Sequence, residues 1–307
     1  MANSLNSLTT TYAGEFAGKY LSAALLSANT IDKGGIEVKP NIKYKSVMKK
    51  VATGAVIANA SCDFTKTDDA VTITERILQP EEFQVNLEFC KKDFASDWEA
   101  VQMGYSAFDN MPPQFSDYII GHVAGMVAEK TEQNIWEGTN ATAGEFDGLA
   151  TLALADTDVL DVTGTTVDAA NVVAELGKIV DSIPASLYGK EDVHIYISQN
   201  IARAYVRALG GFAATNSGVN AQSHMWYGDG ALSFDGVKLF VANGLNDNTA
   251  MAAQKSNLFF GTGLLSDHNE VKVIDMADLD GSQNVRVVMR FTSGVQYGIG
   301  SEIVLYS

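Results

Sequence analysis

Residues 112–138, PPQFSDYIIGHVAGMVAEKTEQNIWEG, carry the strongest helix signal in the chain. Proline favours the first turn of a helix, and the glycine at position 138 is typical of a helix end. About 25 residues, each rising about 1.5 Å, form a rod roughly 37 Å long. A broad apolar face indicates that the helix packs against the protein's own body. Its members are Phe115, Ile119, Val123 and Val127, flanked by Ile120, Ala124 and Met126.

Three residues of this helix are expected to matter for packing. Gly121 and Gly125 have the GxxxG spacing that lets two backbones approach closely, and Trp136 is expected in the core. The same spacing occurs in membrane dimers, but Asp117 and Glu129 interrupt the apolar context here. No apolar run in the chain approaches the ~20 residues that a membrane span requires, so no membrane association is expected.

A period of two marks the region before the helix. The stretch IEVKPNIKYKSVMKKVATGAVI, residues 36–57, predicts a basic strand, and AVTITERIL, residues 70–78, predicts a second. The turn-rich residues 59–69 between them favour a long two-stranded hairpin with Pro40 on an edge. A third strand is predicted in FQVNLEF, residues 83–89. Because an isolated hairpin is at best marginally stable in water, this one must lie on another surface.

The rest of the chain mixes helices and strands. The first segment, with a helical patch over residues 12–28, is expected to end at the glycines that close KGG at residue 35. Residues 165–270 alternate helix and strand, which predicts an α/β unit interrupted by a long glycine-rich loop at residues 210–232. The closing residues 285–306 are strand-like, so the C-terminus is expected to pair into a sheet.

Charge is distributed unevenly along the chain. It has 21 basic and 37 acidic residues, a formal charge of −16, yet residues 33–50 hold six lysines against one acid, Glu37. Between residues 138 and 281 there are 18 acidic and seven basic residues. The lysines are open to three interpretations: nucleic-acid binding, a solvated strand, or an arm that lies on the acidic body of another copy. The candidate contact residues are Lys39, Lys43, Lys45, Lys49, Lys50 and, near the predicted tip, Lys66.

The sequence carries no recognisable catalytic motif. It lacks a GxSxG elbow, a phosphate loop and HExxH, and its four histidines are far apart. Cys62 and Cys90 form neither a disulfide framework nor a CxxC pair, which suits a reducing compartment. We therefore expect no enzyme activity, no metal and no cofactor, although an enzyme without a known motif stays an alternative.

The order of these parts resembles a tailed-bacteriophage major capsid protein of the Hong Kong 97 type. The resemblance lies in the N-terminal segment that ends in glycine, the long hairpin, the helix that ends NIWEG, the α/β region, NLFFGTGLLSDHNEVKVIDM and the closing VMRFTSGVQYGIGSEIVLY. It covers nearly the whole chain and rests on element order and length.

The resemblance implies an α+β fold with four named parts. They are an N-terminal arm (residues 1–35), an extended loop (36–90), a peripheral domain (91–164 and 271–307) and an axial α/β domain (165–270). The peripheral domain is built on a spine helix from Pro113 to Glu137. It implies a shell protein of the virion, assembled in the host bacterial cytoplasm as hexamers and pentamers. In such a shell the extended loop reaches over the neighbouring subunit.

The same resemblance implies a set of partners. They are other copies of the chain, a portal protein, double-stranded DNA held without sequence recognition and, in some members, a decoration protein. Barely ten residues precede the first predicted helix, so any scaffold is expected to be a separate protein. An encapsulin, which builds a similar shell around cargo enzymes, is the alternative within the same fold.

Overall fold

The computed structural model describes residues 29–53, 71–90, 113–209, 232–263 and 272–307. The predicted helix at 12–28, the hairpin tip and nearly all of the glycine-rich loop lie outside these residues. The α-helices are α1 (Asn29–Asp32), α2 (Pro113–Glu137), α3 (Leu149–Ala155), α4 (Val172–Asp181), α5 (Gln199–Ala208) and α6 (Ala277–Asp280). The strands are β1 (Glu37–Lys39), β2 (Ser46–Thr53), β3 (Val71–Leu78), β4 (Glu81–Cys90), β5 (Leu160–Val162), β6 (Val193–Ile197), β7 (Ser233–Phe234), β8 (Val237–Val241), β9 (Ala250–Gln254), β10 (Leu258–Thr262), β11 (Lys272–Asp275), β12 (Asn284–Tyr297) and β13 (Val304–Tyr306).

The long helix has the predicted bounds. Helix α2 begins at Pro113 and ends at Glu137, one residue before Gly138. A Cβ at Gly138 would lie 2.3 Å from the carbonyl oxygen of Phe146, so only glycine fits where the following loop closes on the helix end. Helix α1 ends at Asp32, just before the glycines of KGG, and Gly34 there adopts a left-handed conformation with φ of 63°.

A six-stranded sheet organises the larger of two structural units. Its order is β5-β13-β9-β6-β8-β7, with β6 parallel to β8 and antiparallel to β9. Helices α4 and α5 pack on the face that carries Val193, Ile195 and Ile197 of β6. The predicted pairing of the C-terminus is confirmed, because β13 lies between β5 and β9. Strands β5 and β13 thus join the sheet of the α/β region although they lie outside residues 165–270.

The opposite face of this sheet is covered as well. Side chains alternate along a strand, so Tyr196 of β6 points away from α4 and α5. Its ring lies 5.0 Å from that of Trp136 and 5.5 Å from that of Phe240. Its hydroxyl donates a hydrogen bond to the carbonyl of Gly35 at 2.5 Å. The end of α2 and the segment after α1 therefore form a layer on this side.

A buried polar network ties α1 to α2. The Glu132 side chain accepts hydrogen bonds from the backbone N–H of Thr30 at 3.0 Å and from its hydroxyl at 2.5 Å. The indole N–H of Trp136 donates to the same hydroxyl oxygen at 2.9 Å. Burial raises the pKa of Glu132, and the hydrogen bonds from Thr30 and from the Gly244 amide oppose that shift. Each bond replaces one to water, which makes the buried carboxyl group tolerable.

The second unit contains described residues 83–90, 113–127 and 272–291. Here β4 and β11 both pair with the first part of β12, and β11 runs antiparallel to it. Val285 and Val287 of β12 are buried, and Arg286, between them, is exposed. The Arg286 Nε–H donates to Glu88 on β4 at 2.6 Å. The predicted strand at residues 83–89 is thus present, and its partner is β12.

The predicted basic strand at residues 36–57 is wrong as a single element. The structure divides the stretch into β1, which pairs in parallel with β10, and β2, which pairs with β3. Pro40 has no N–H to donate, and Asn41 is left-handed with φ of 63°, so the strand breaks there. The antiparallel pairing of the second part with residues 71–78 is as predicted.

We expect Thr30→Val to destabilise the larger unit by about 1–3 kcal/mol, because Glu132 and the Trp136 indole each lose a buried hydrogen-bond partner. Urea unfolding followed by tryptophan fluorescence measures the change. Thr166→Val, at an exposed position, is the matched control and should leave the midpoint unchanged. Equal midpoints for wild type and Thr30→Val would show that the network contributes nothing to stability.

Candidate intersubunit surface

The hairpin β2–β3 carries four of the large hydrophobic side chains that are exposed among the described residues. Its eight residue pairs run from Ser46–Leu78 to Thr53–Val71, and β2 and β3 form a two-stranded sheet of their own. Alternation along the strands places every second side chain on the same face. Among the side chains that the structure describes, one face therefore carries four exposed valine and isoleucine residues. They are Val47 (48% exposed), opposite Ile77 (47%), and Val51 (61%), opposite Ile73 (60%).

One ion pair lies at the centre of this apolar face. Lys49 Nζ is 3.8 Å from the Glu75 carboxylate, and both side chains are more than half exposed. Such a pair contributes ~0.2–1 kcal/mol. Covering the exposed half of a valine or isoleucine contributes about 1 kcal/mol, so the four together contribute roughly 4 kcal/mol. The apolar term is thus the larger one, and the face is electrically neutral.

The structure does not gather the candidate lysines into one surface. The Nζ atom of Lys39 lies 3.7 Å from the centroid of the Phe259 ring of its own chain. Lys49 and Lys50 are neighbours in β2 and therefore point to opposite faces. Lys43 and Lys45 lie in the segment between β1 and β2 and are exposed. Lys66 lies outside the described residues.

Two backbone hydrogen bonds attach the segment between β1 and β2 to the end of β10. The N–H groups of Asn41 and Ile42 donate to the carbonyls of Gly263 and Thr262 at 2.6 and 3.1 Å. Residues 38–46 line an open concavity of about 670 Å³. Tyr44 is 71% exposed beside it, with Lys45 Nζ 5.2 Å from the ring centroid. The segment is thus a basic, partly aromatic surface next to the apolar face of the hairpin.

The hairpin is packed tightly where it leaves the body of the larger unit. Leu78 is 1% exposed, and a Cβ at Gly261 of β10 would lie 2.9 Å from Leu78 and from Ile42. The side-chain amide of Gln296 donates to the carbonyl of Ile77 at 3.4 Å. Met48 is also buried. The root of the hairpin is therefore packed into the body of the larger unit, whereas its apolar face is exposed.

A charged cluster adjoins this root. Arg76 of β3 forms an ion pair with Asp156, which follows α3, and its guanidinium lies 4.5 Å from the centroid of the Tyr297 ring. The Tyr297 hydroxyl donates to Asp156 Oδ2 at 2.9 Å, and the Asp158 N–H donates to Oδ1 at 3.0 Å. Sequence analysis missed this cluster. Asp156 is 80 positions from Arg76 and 141 positions from Tyr297, and no local sequence pattern links residues so far apart.

The cluster favours the ionised form of Asp156. Burial by itself raises the pKa of this carboxyl group, but the hydrogen bonds from Asp158, Arg76 and Tyr297 and the charge of Arg76 hold it below its usual value. Burial and the hydrogen bond to Asp156 raise the pKa of Tyr297, which stays protonated as a donor. The folded pKa of Asp156 lies below its unfolded value. Its contribution to stability is therefore complete above the unfolded pKa and is lost as the pH falls through the folded one.

The residues singled out on α2 have different environments. Gly121 is exposed, and a Cβ there would meet no described atom within 4 Å. Gly125 is half-buried. Trp136 is fully buried in the layer described above. Only Trp136 has described contacts that a larger or smaller side chain would disturb, so the role of the two glycines stays a prediction.

The described residues contain no group of three or more metal-ligating side chains, and no helix among them is long and apolar enough to cross a membrane. A polar notch of about 520 Å³ lies beside the end of α2, where Lys130 donates to Glu145 at 2.5 Å. His122 and His194 are half-buried, and His224 and His268 lie outside the described residues.

No protein-family model matches the sequence. No curated protein matches it either. Solved structures do match. The capsid of the Myoviridae phage XM1 gives a TM-score of 0.63 at 9% identity and covers 94% of each chain. The capsid of a native GTA particle, computed with C5 symmetry, gives 0.59 at 15% identity over 94% of this chain and 98% of that one.

The capsid structure of the cyanophage P-SCSP1u is similar to the same extent. It gives a TM-score of 0.58 at 15% identity and covers 95% of this chain and 91% of the other. Agreement over nearly the full length of each chain, at identities this low, is a likeness of fold. The chain therefore has the α+β fold of tailed-bacteriophage capsid proteins, the Hong Kong 97 type.

Proposed function

We propose that this chain is the major capsid protein of a tailed double-stranded DNA bacteriophage and that its copies assemble into the closed shell of the virion. The observation that carries the proposal is the hairpin β2–β3. It stands on a firmly packed root and presents four β-branched side chains that its own described residues leave uncovered. In a chain with a capsid fold, the surface that covers them is another copy.

The named parts of the capsid fold follow from this proposal. Residues up to Gly35 are the N-terminal arm, and the hairpin lies in the extended loop. Helix α2 is the spine helix of the peripheral domain, and the six-stranded sheet with α4 and α5 forms the axial domain. The C5 symmetry of the GTA capsid is the arrangement expected at the pentamers.

The partners follow from the same assignment. We place a portal protein at one vertex, a separate scaffold during assembly and, as a further possibility of the fold, a decoration protein outside. A chain with a formal charge of −16 repels DNA phosphates over most of its surface. Such a wall holds the duplex loosely, which suits DNA that must enter and leave. Assembly in the host bacterial cytoplasm agrees with the two scattered cysteines.

Expression of the full chain tests the proposal directly. We expect closed shells or hexamers and pentamers in negative-stain microscopy and a matching fast-sedimenting species. Particles that contain enzyme cargo and no affinity for a portal protein would favour the encapsulin alternative. A chain that stays monomeric at every concentration and salt would overturn the proposal.

The apolar face provides a sharper test. We expect the double variant Val51→Glu, Ile73→Glu to fold normally, because both side chains are more than half exposed, and to lose assembly, because two charges would have to leave water. Circular dichroism and sedimentation measure the two effects. The matched control is Val173→Glu, Leu279→Glu, which adds the same charge at exposed apolar positions elsewhere and should assemble.

The lysine hypothesis predicts a different variant effect. Changing Lys43, Lys45, Lys49 and Lys50 to Glu should leave folding intact and weaken assembly most at low salt, since repeated like charges then meet. Sedimentation at low and high salt checks this. Normal assembly with loss of salt-sensitive DNA retention would favour the nucleic-acid interpretation. Normal behaviour in both respects would show that the lysines form a solvated surface.

A further inference from the structure

We propose that Arg76, Asp156 and Tyr297 form a latch that fixes the direction in which the hairpin leaves the body, and that Arg76 is therefore a positioning residue for assembly. The inference rests on the proposed function, since it concerns how the assembly surface is presented. It assigns a role to residues that do not themselves lie on the apolar face.

The position of Arg76 on the hairpin makes this role specific. Arg76 pairs with Met48 in the ladder. It lies two residues farther from the body than Leu78, which is buried. Farther out, from Glu75 to Val71, β3 pairs only with β2 among the described strands. The ion pair of Arg76 with Asp156 is thus the outermost described polar contact between the hairpin and the body.

A small rotation at this point becomes a large displacement farther out. Five residues of β3 beyond Arg76 span about 17 Å, so a tilt of about 10° moves the end of the described hairpin by roughly 3 Å. Packed apolar surfaces do not tolerate a shift of that size, because side chains lose their van der Waals contacts over less than 1 Å. A hairpin hinged only on its apolar root would therefore present Val51 and Ile73 in many orientations.

The geometry of the cluster resists such a tilt in more than one direction. The guanidinium of Arg76 pairs with the Asp156 carboxylate, and its Cζ atom also lies over the Tyr297 ring. Asp156 is held in turn by the Tyr297 hydroxyl and the Asp158 amide. A planar, charged fork between two fixed partners is a stiffer joint than an aliphatic contact.

Gly300 packs closely against the Arg76–Asp156 ion pair. A Cβ at this position would lie 2.8 Å from Asp156 Oδ2 and 3.2 Å from Arg76 Nη2. No larger residue fits unless the Asp156 carboxylate moves. Gly300→Ala therefore displaces the latch without removing any of its charges, which separates the geometry of the latch from the loss of an arginine.

Pulsed electron paramagnetic resonance on unassembled subunits measures the direction of the hairpin. Spin labels at Thr74→Cys on the hairpin and Lys190→Cys on the body report the distance, with Cys62 and Cys90 changed to Ser. We expect one narrow distance distribution for the otherwise wild-type chain. In Arg76→Met and in Gly300→Ala it should broaden or shift. Arg76→Lys, which keeps the charge and loses the fork, should lie between.

Assembly of the unlabelled variants provides the second readout. We expect Arg76→Met and Gly300→Ala to raise the subunit concentration needed for particle formation on the order of tenfold, with Arg76→Lys between them and wild type. The matched control is Arg203→Met, an exposed arginine on α5 that donates to Gln199, and it should assemble like wild type. Circular dichroism melting confirms that each variant is folded.

The outcomes are separable. Unchanged distance distributions in Arg76→Met and Gly300→Ala overturn the latch, even if wild type forms shells. A broadened distribution with unchanged assembly overturns the positioning role. If one of these variants fails to fold, the other and Arg76→Lys decide by the same criteria. Failure of wild type to form any particle refutes the proposed function and with it the positioning role, and the distance measurement then judges only the latch.

Discussion

The constraint that dominates this structure is that the two-stranded sheet β2–β3 has no second layer of its own to cover its faces. Strands β2 and β3 form backbone hydrogen bonds to each other along one edge of each strand, but a pair of strands can bury neither of its faces. One face is partly covered at the root, where its own residues Met48 and Leu78 are buried. The other exposes valine and isoleucine over both pairs that flank Lys49 and Glu75. Such a face is a liability in a monomer and an asset in an assembly.

This constraint explains why the base of the hairpin is built so firmly. Gly261 lets Leu78 and Ile42 approach β10 more closely than any side chain would allow. The strand β10 is itself held between β1 and β12. The buried network of Thr30, Glu132 and Trp136 in turn fixes the chain just before β1. In the proposed shell, the surface that meets another copy is thus mounted on a firmly packed base, which reduces the entropy lost on association.

Much of the fold could be predicted from local sequence signals. Helix α2 has proline at its start and glycine after its end, and these two signals place both of its ends. The alternation in residues 71–78 likewise identified β3. The basic strand was wrong because period and charge extend across Pro40 and Asn41, where backbone conformation ends the strand. Short strands such as β5 owe their existence to partners distant in sequence, and no local pattern predicts them.

The candidate surface was predictable only in part, for a related reason. Its hairpin is a local structure, but the exposure of one face depends on what the rest of the chain leaves uncovered. The charge of the lysine cluster is visible in the sequence, but its contacts are not: Lys39 lies over Phe259, and Lys49 faces Glu75. In a chain with a formal charge of −16, copies repel one another at long range, and screened single ion pairs contribute too little to offset this. Burial of apolar area is not weakened by salt, so in the proposed shell it supplies the affinity between copies. The exposed lysines at 43 and 45 can then influence the rate and the register of encounter, the properties that electrostatics controls best.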